Sequence, residues 1–245
     1  NILNVMQAGT LARDMMKVDQ FVVYQTIGRD AGWLAAATSM ARRDEDEAPH
    51  LIYTPEHPFV REKFLTDADH CIRRYGWVFV VAGEGIKYED GTPVSASVVK
   101  DKFSNTEFGA MGGASVAITL HRMLSSEFGL RGEFQVPESL IMSDYVRALP
   151  ADLGEAYRCG IEAVRLAEKG ESGYMVTIDR KSDDPYEVIY GKVPLSKVAI
   201  AARPMPAEYF NEAGNHVSDA FARYMKPLTG EIPEFVRLKK IMVTK

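Results

Sequence analysis

The sequence contains few of the residues and patterns that assign a chain to a specialised class of protein. Its only two cysteines, Cys71 and Cys159, lie in amphipathic stretches without the paired spacing or neighbouring histidines of a zinc site. We therefore expect buried thiols in a reducing cytoplasm. No apolar run approaches the roughly 18 to 20 residues that span a bilayer, and the amino terminus lacks a basic-then-apolar signal pattern. We expect no membrane association.

An excess of positive charge is also absent. Lysine and arginine total 29 against 34 aspartates and glutamates, which gives a formal net charge of -5. Because non-specific nucleic-acid binding needs clustered positive charge, we expect no nucleic-acid partner, and any anionic ligand must bind in a local pocket. The 245 residues, 46% hydrophobic and 26% charged, are typical of an ordinary globular protein. This length suits one large α/β domain or two smaller ones.

Motifs for metal binding and nucleophilic catalysis are missing too. None of the five histidines pairs with a carboxylate or a second histidine at a metal-binding spacing such as i, i+4. The acidic runs at 44–47 and 183–184 are typical of solvated loops. There is no Walker loop, no G-x-G-x-x-G and no Ser/His/Asp constellation. We predict no metal ligands in this chain.

Short apolar runs alternate with amphipathic stretches along most of the chain. The predicted strands are residues 18–25, 51–54, 77–82, 174–178 and 186–190. The predicted helices are residues 5–16, 31–42, 59–75, 114–128, 152–169 and 216–225, the last stopped by Pro227 and Gly230. Continuous apolar strands between amphipathic helices indicate an α/β fold, an open and mostly parallel sheet with helices on both faces.

Two glycine-containing turns follow predicted strands. Open α/β sheets bind ligands beyond the carboxyl ends of their strands, where turn backbone and helix N-termini are exposed. In the first turn, Gly28 lets the backbone approach a ligand, and the planar guanidinium of Arg29 can clamp an anionic oxygen. In the second, Glu84 lies between two glycines and can accept hydrogen bonds from sugar hydroxyls. From spacing alone, ordinary turns with solvated charges explain both segments at least equally well.

Five segments, taken in order, resemble the phosphofructokinase family, most closely its longer pyrophosphate-dependent branch. Residues 22–36, VVYQTIGRDAGWLAA, resemble the family's strand and M-G-R-x-A-G-W helix start. Residues 54–59 resemble its P-E-x-P-F turn, and residues 80–85, VVAGEG, its V-S-E-G turn. The segments 155–178 and 216–238 are similar to its later helix and strand and to its P-L-x-G tail. The resemblance covers nearly the whole chain, and five ordered blocks are much more specific than one.

The resemblance implies a three-layer fold and a sugar-phosphate site. In that family the M-G-R turn and the glutamate of the S-E-G turn contact fructose 6-phosphate. The implied substrate-binding residues are therefore Ile27, Gly28, Arg29 and Glu84, with Arg131 and Ser139 as further candidates in the substrate loop. The resemblance also implies a cytoplasmic homo-oligomer that acts in glycolysis, with Mg²⁺ and with pyrophosphate or ATP as the phosphoryl donor.

The family's donor and catalytic motifs are not found in this chain. The G-G-D-G-S donor loop and the T-I-D-x-D segment, with its catalytic and metal-associated aspartates, precede the M-G-R strand in the family and are absent here. We expect a C-terminal portion without the donor-binding half, comprising a substrate-binding domain at about 18–180 and a return segment at about 181–245. Such a chain alone should not transfer phosphate, because the base and the Mg²⁺ carboxylates that orient hydroxyl and donor belong to the other half.

Two arginines of the family's substrate loop are replaced in this sequence. Gapless matching aligns the family's G-x-x-Q-R with residues 138–142 and its upstream K-x-R with residues 131–133, which puts Met142 and Glu133 at the arginine positions. Glu133 would repel a nearby phosphate. Two functions therefore stay open. One is a part of a pyrophosphate- or ATP-dependent 6-phosphofructokinase, and the other is a catalytically silent regulatory or binding member, or a kinase for a different sugar phosphate.

Overall fold

The computed structural model describes residues 1–95, 102, 115–198 and 202–238. The strands in these ranges are β1 (Phe21–Thr26), β2 (Leu51–Tyr53), β3 (Val78–Gly83), β4 (Gly132–Gln135), β5 (Tyr174–Asp183) and β6 (Tyr186–Pro194). The helices are α1 (Ile2–Met15), α2 (Trp33–Ala37), α3 (Arg61–Tyr75), α4 (Val116–Phe128), α5 (Glu138–Met142), α6 (Pro150–Glu168), α7 (Leu195–Val198) and α8 (Asp219–Thr229). The predicted helix start at residue 114 and residues 199–201 and 239–245 of the predicted return segment lie outside the described residues.

Four parallel strands form the central sheet, in the order β2-β3-β1-β4. Strand β1 pairs with β3 from Phe21 opposite Val78 to Thr26 opposite Gly83, and on its other side with β4. All six residues of β1 and of β3 are buried, as expected for central strands covered on both faces. Since the strands are parallel, their carboxyl ends meet at one edge of the sheet, called here the carboxyl edge.

The two faces of the sheet carry separate cores because side chains alternate along each strand. On one face, Phe21 and Val23 of β1 join a cluster that includes Phe64 of α3 and Leu120 of α4. On the other face, Val22 belongs to a cluster with residues of α1 and α2. The sheet thus lies between two helical layers, and the predicted α/β, three-layer architecture is confirmed.

Strands β5 and β6 differ from the predicted arrangement, since they form an antiparallel hairpin apart from the central sheet. Only Asp184 and Pro185 separate them, and two residues leave no room for the crossover helix that parallel neighbours need. Strand β5 is also longer than the predicted 174–178 and extends to Asp183, so the domain boundary expected near residue 180 falls within a strand.

The last described helix passes through a residue that was predicted to stop it. Helix α8 continues through Pro227 to Thr229 and ends at Gly230. A proline removes one backbone N–H, but only two helical residues follow Pro227, and Phe221 holds the helix against the aromatic ring of Trp33. Glycine alone is therefore the stop signal here.

The two cysteines differ in their burial. Cys71 is buried and Cys159 only half-buried, so the expectation of two buried thiols is correct for the first and wrong for the second. The helix that carries Cys159 leaves much of its surface uncovered. None of the helices described above combines the length and the apolar character needed to cross a bilayer.

Candidate functional site

The carboxyl edge brings the two predicted ligand-facing turns together. The backbone N–H of Gly28, just after β1, donates a 3.1 Å hydrogen bond to Oε1 of Glu84, just after β3. The backbone N–H of Glu84 in turn donates to the carbonyl of Thr26 at 2.9 Å. Ile27, Gly28, Arg29 and Glu84 therefore form one cluster, although 56 positions separate Gly28 from Glu84 in the chain.

Glycines make this close approach of the two turns sterically feasible. Gly28 has a φ of 132°, a region that residues with side chains rarely adopt. A Cβ atom on Gly85 would lie 1.6 Å from the carbonyl oxygen of Arg29, far inside van der Waals contact. The Arg29 backbone thus packs directly on the backbone of Gly85, and the position of one turn depends on the other.

A third turn at the same edge anchors the first. Oε1 of Glu56, which follows β2, accepts hydrogen bonds from the backbone N–H of Gly32 at 2.8 Å and of Met205 at 3.0 Å. The Gly32 N–H lies at the start of α2, where a carboxylate is favourable because the first N–H groups of a helix lack partners. Sequence reasoning did not single out Glu56, although it lies in the family-like segment 54–59.

A buried glutamine of β1 connects the start of α4 to α5. Oε1 of Gln25 accepts hydrogen bonds from the hydroxyl of Ser115 at 2.8 Å and from the backbone N–H of Ala117 at 3.1 Å. Its Nε2 donates to Oε1 of Glu138 at 3.4 Å. Gln25 is only 1% exposed, so both ends of its amide are used where water cannot replace their partners. Glu138 is consequently tied to the carboxyl edge.

The pKa of Glu84 is raised, mainly because burial disfavours the charged carboxylate. The hydrogen bond from Gly28 and the guanidinium of Arg29 act in the opposite direction, whereas the charges of Glu138 and Asp30 raise the pKa further. The cluster thus offers carboxylate oxygens as acceptors for hydroxyl groups and one guanidinium for an anionic oxygen.

We expect Glu84→Gln to stabilise the protein slightly at neutral pH. A carboxyl whose folded-state pKa is raised contributes stability at acid pH that is lost as the pH rises through the folded pKa. The amide has no such charge, so its advantage should shrink as the pH falls and Glu84 becomes protonated. The gain should stay below about 1 kcal/mol, because solvent screens a half-buried group. Urea denaturation between acid and neutral pH would measure it.

The matched control for this prediction is Glu89→Gln, which makes the same charge change on an exposed residue of the following turn. Its effect on the free energy of unfolding should be close to zero at every pH. A loss of stability in Glu84→Gln at neutral pH would contradict the prediction.

Arg131 lies apart from the cluster within this chain. It precedes β4 at the opposite edge of the sheet, where its carbonyl accepts the backbone N–H of Gln20 and its Nε lies 2.8 Å from Oδ1 of Asp19. The segment was interpreted as a loop, whereas residues 132–135 form a parallel strand. A four-residue strand separates its two ends by about 13 Å, which keeps Arg131 away from Gly28.

The other substrate-loop residues lie on or after β4. Ser139 follows Glu138 on α5 and is exposed, and its carbonyl accepts the hydroxyl of Ser143 at 2.9 Å. Glu133 is exposed within β4, opposite Val22. Met142 ends α5 and is 67% exposed. Of the four residues 131, 133, 139 and 142, Ser139 is thus the one adjacent in sequence to a residue bonded at the carboxyl edge.

An open groove of about 710 Å³ adjoins β1 and β4 on the α1 side, lined by residues that include Tyr24 and Gln135. Its arginine, Arg147, is paired with Asp144 at 3.4 Å and donates to Gln7 at 3.1 Å. The groove does not include Gly28 or Glu84, so it is separate from the cluster.

Among the residues in the described ranges, no group of three or more His, Cys, Asp or Glu could hold a metal ion.

Comparisons with known proteins identify relatives of the chain. No family model matches the chain. It is 33% identical over 206 residues to the pyrophosphate–fructose 6-phosphate 1-phosphotransferase of Halomonas elongata, covering 84% of this chain and 48% of that protein. It is 33% identical over 234 residues to the protein of the same name from Xanthomonas campestris, covering 91% and 55%. The chain spans about half the length of the curated relatives it matches.

A solved structure has the same fold. The pyrophosphate-dependent phosphofructokinase from Marinobacter aquaeolei superposes with a TM-score of 0.79 at 31% identity, over 96% of this chain and 55% of that one. Similarity to about half of a longer protein is consistent with the predicted C-terminal portion.

Proposed function

We propose that this chain, a homologue of the pyrophosphate-dependent phosphofructokinases, supplies the sugar-phosphate-binding part of a phosphotransferase. The observation that carries the proposal is the junction of two turns at the carboxyl edge, where Gly28 N–H and Glu84 Oε1 lie 3.1 Å apart beside Arg29. The proposed reaction of the whole protein moves a phosphoryl group from pyrophosphate to the 1-hydroxyl of fructose 6-phosphate in glycolysis. ATP is the alternative donor.

The proposed roles follow from the chemistry of the groups. The guanidinium of Arg29 binds an anionic oxygen of the sugar phosphate through charge-assisted hydrogen bonds, which are stronger than neutral ones. The backbone of Ile27 and Gly28 lies close to the ligand, and the Glu84 carboxylate accepts hydrogen bonds from sugar hydroxyls. Phosphoryl transfer depends mostly on positioning and electrostatics, so holding the sugar is a substantial part of the task.

The rest of the proposed machinery lies outside this chain. A base for the sugar hydroxyl, carboxylates for Mg²⁺ and the donor-binding loop would come from the remainder of a longer protein. We also propose a cytoplasmic homo-oligomer, as the resemblance implies. The domain limits at about 18–180 and 181–245 are likewise proposals. The alternative of a catalytically silent member is not favoured, because the curated relatives are named as phosphotransferases.

A coupled assay of the full-length protein with Mg²⁺, fructose 6-phosphate and either donor tests the proposal directly. Formation of fructose 1,6-bisphosphate is expected, and the absence of product with both donors would rule it out.

In the same assay, Arg29→Gln should raise KM for fructose 6-phosphate by roughly 10- to 100-fold, because one charged hydrogen bond is worth about 1.5–3 kcal/mol. Arg122→Gln, which removes an exposed arginine from α4, is the control and should leave KM unchanged.

A further inference from the structure

Glu138 occupies a backbone conformation that disfavours a side chain. Its φ is 28°, and it is the one non-glycine residue with positive φ in the part of the chain that the structure describes. Such conformations cost of order 1–3 kcal/mol and persist where the surrounding structure holds them. In the family alignment given above, this position corresponds to the glycine of G-x-x-Q-R. The chain therefore carries a carboxylate at a position whose backbone suits glycine.

The carboxylate of Glu138 is held by a rigid partner. Gln25 Nε2 donates to its Oε1 at 3.4 Å, and the other end of that amide is fixed by Ser115 and Ala117. A buried amide with three partners cannot rotate without losing hydrogen bonds that water does not replace. One oxygen of Glu138 is thus oriented by the core of the fold, as expected of a residue that positions a ligand.

Glu138 also lies next to the proposed sugar site. Glu84, the turn 27–29 and Glu138 follow the three neighbouring strands β3, β1 and β4, all at the carboxyl edge. The charge of Glu138 is one cause of the raised pKa of Glu84, so the two carboxylates are close enough to interact. Two carboxylates repel a phosphate but accept hydrogen bonds from adjacent hydroxyls of a sugar.

From these contacts we infer that Glu138 is a specificity-determining residue, which accepts a hydrogen bond from a hydroxyl of the bound sugar and thereby selects its configuration. The phosphate then lies towards Arg29, away from the two carboxylates. This inference rests on the proposed function, because it assumes that the cluster binds a sugar phosphate. A glycine at this position has no side chain to accept such a hydrogen bond. With Glu138, the site favours one arrangement of the sugar hydroxyls.

The test compares Glu138→Gly and Glu138→Gln in the full-length protein with fructose 6-phosphate and its C3 and C4 epimers. For Glu138→Gly we expect KM for fructose 6-phosphate to rise about tenfold, since one hydrogen bond is lost. The kcat/KM preference over at least one epimer should fall at least tenfold. The melting temperature should stay the same or rise, because glycine relieves the φ strain. Glu138→Gln keeps an acceptor and should restore most of the preference.

Two results would overturn the inference. One is an unchanged preference among the three sugar phosphates in Glu138→Gly, and the other is a lower melting temperature with all substrates weakened equally, which indicates a purely structural role. The control is Glu89→Gln, which should alter neither preference nor KM. If the wild-type protein shows no transfer, the proposed function has failed. Calorimetric titration of the wild type with the same sugar phosphates then tests the role of Glu138 separately. Equal affinities for the three sugar phosphates, or no binding of any of them, would overturn that role.

Discussion

Replacing Gly85 by alanine is expected to destabilise the protein by about 3 kcal/mol or more and to abolish sugar-phosphate binding. The added Cβ would lie 1.6 Å from the carbonyl oxygen of Arg29 and 2.5 Å from its carbonyl carbon. Both atoms are backbone, so no side-chain rotation can relieve the clash, and overpacking of this kind costs typically 1–3 kcal/mol and occasionally more. The turn that carries Arg29 must move away from Glu84, which breaks the Gly28 to Glu84 hydrogen bond.

Urea denaturation of the purified protein and titration with fructose 6-phosphate measure the two effects of Gly85→Ala. The matched control is Gly154→Ala on α6, where an added Cβ has no atom within 4 Å. That substitution should stabilise the protein by about 0.5–1 kcal/mol, because alanine favours a helix over glycine. Wild-type stability and affinity in Gly85→Ala would show that the two turns do not pack as described.

Gln25→Leu is expected to cost about 2–4 kcal/mol of stability although it retains a side chain of similar size. Leucine cannot accept the hydrogen bonds from the Ser115 hydroxyl and the Ala117 N–H, and each buried donor left without a partner costs about 1–3 kcal/mol. The Ala117 N–H lies in the first turn of α4, so the substitution also removes a cap from that helix. Glu138 would lose its anchor, and the preference among sugar phosphates should weaken as in Glu138→Gly.

The midpoint of urea denaturation gives the cost of Gln25→Leu. Gln135→Leu is the control, because Gln135 is at the end of β4 and lines the open groove on the α1 side rather than the buried network. Its cost should stay within about 0.5 kcal/mol, as for most surface substitutions. Equal losses in the two variants would contradict the assignment of a buried amide network to Gln25.

The main elements were predictable where apolar pattern and burial agree. Strand β3 is continuously apolar and entirely buried, and α3 carries its apolar residues at helical spacing. The prediction missed β4, because GEFQ has neither alternation nor a continuous apolar run and became a strand only by pairing with β1. It also ended α8 at residue 225, because it treated Pro227 as a stop. The helix continues to Thr229, because one proline near a helix end disrupts too little to stop it.

The site was predictable only in part. The turn 27–29 contains Gly28, Glu84 lies between two glycines, and each follows a recognisable strand, so local signals favour both as candidates. The contacts of Glu56, Gln25 and Glu138 could not be predicted from local sequence, since their partners are 24, 92 and 113 positions away. The distance of Arg131 from the cluster was not predictable for the same reason, because the unrecognised strand β4 carries the chain from one edge of the sheet to the other.

The sequence by itself determined the α/β class, most of the main helices and strands and the resemblance to phosphofructokinases, because each depends on local periodicity or on short ordered motifs. Only the tertiary structure decided which polar residues meet. Parallel pairing collects the ends of distant strands at one edge, and the register of that pairing decides that Glu84 reaches Gly28 and that Glu138 reaches Gln25. These pairings join segments that are distant in the chain, so the pattern of one segment alone does not give its partner.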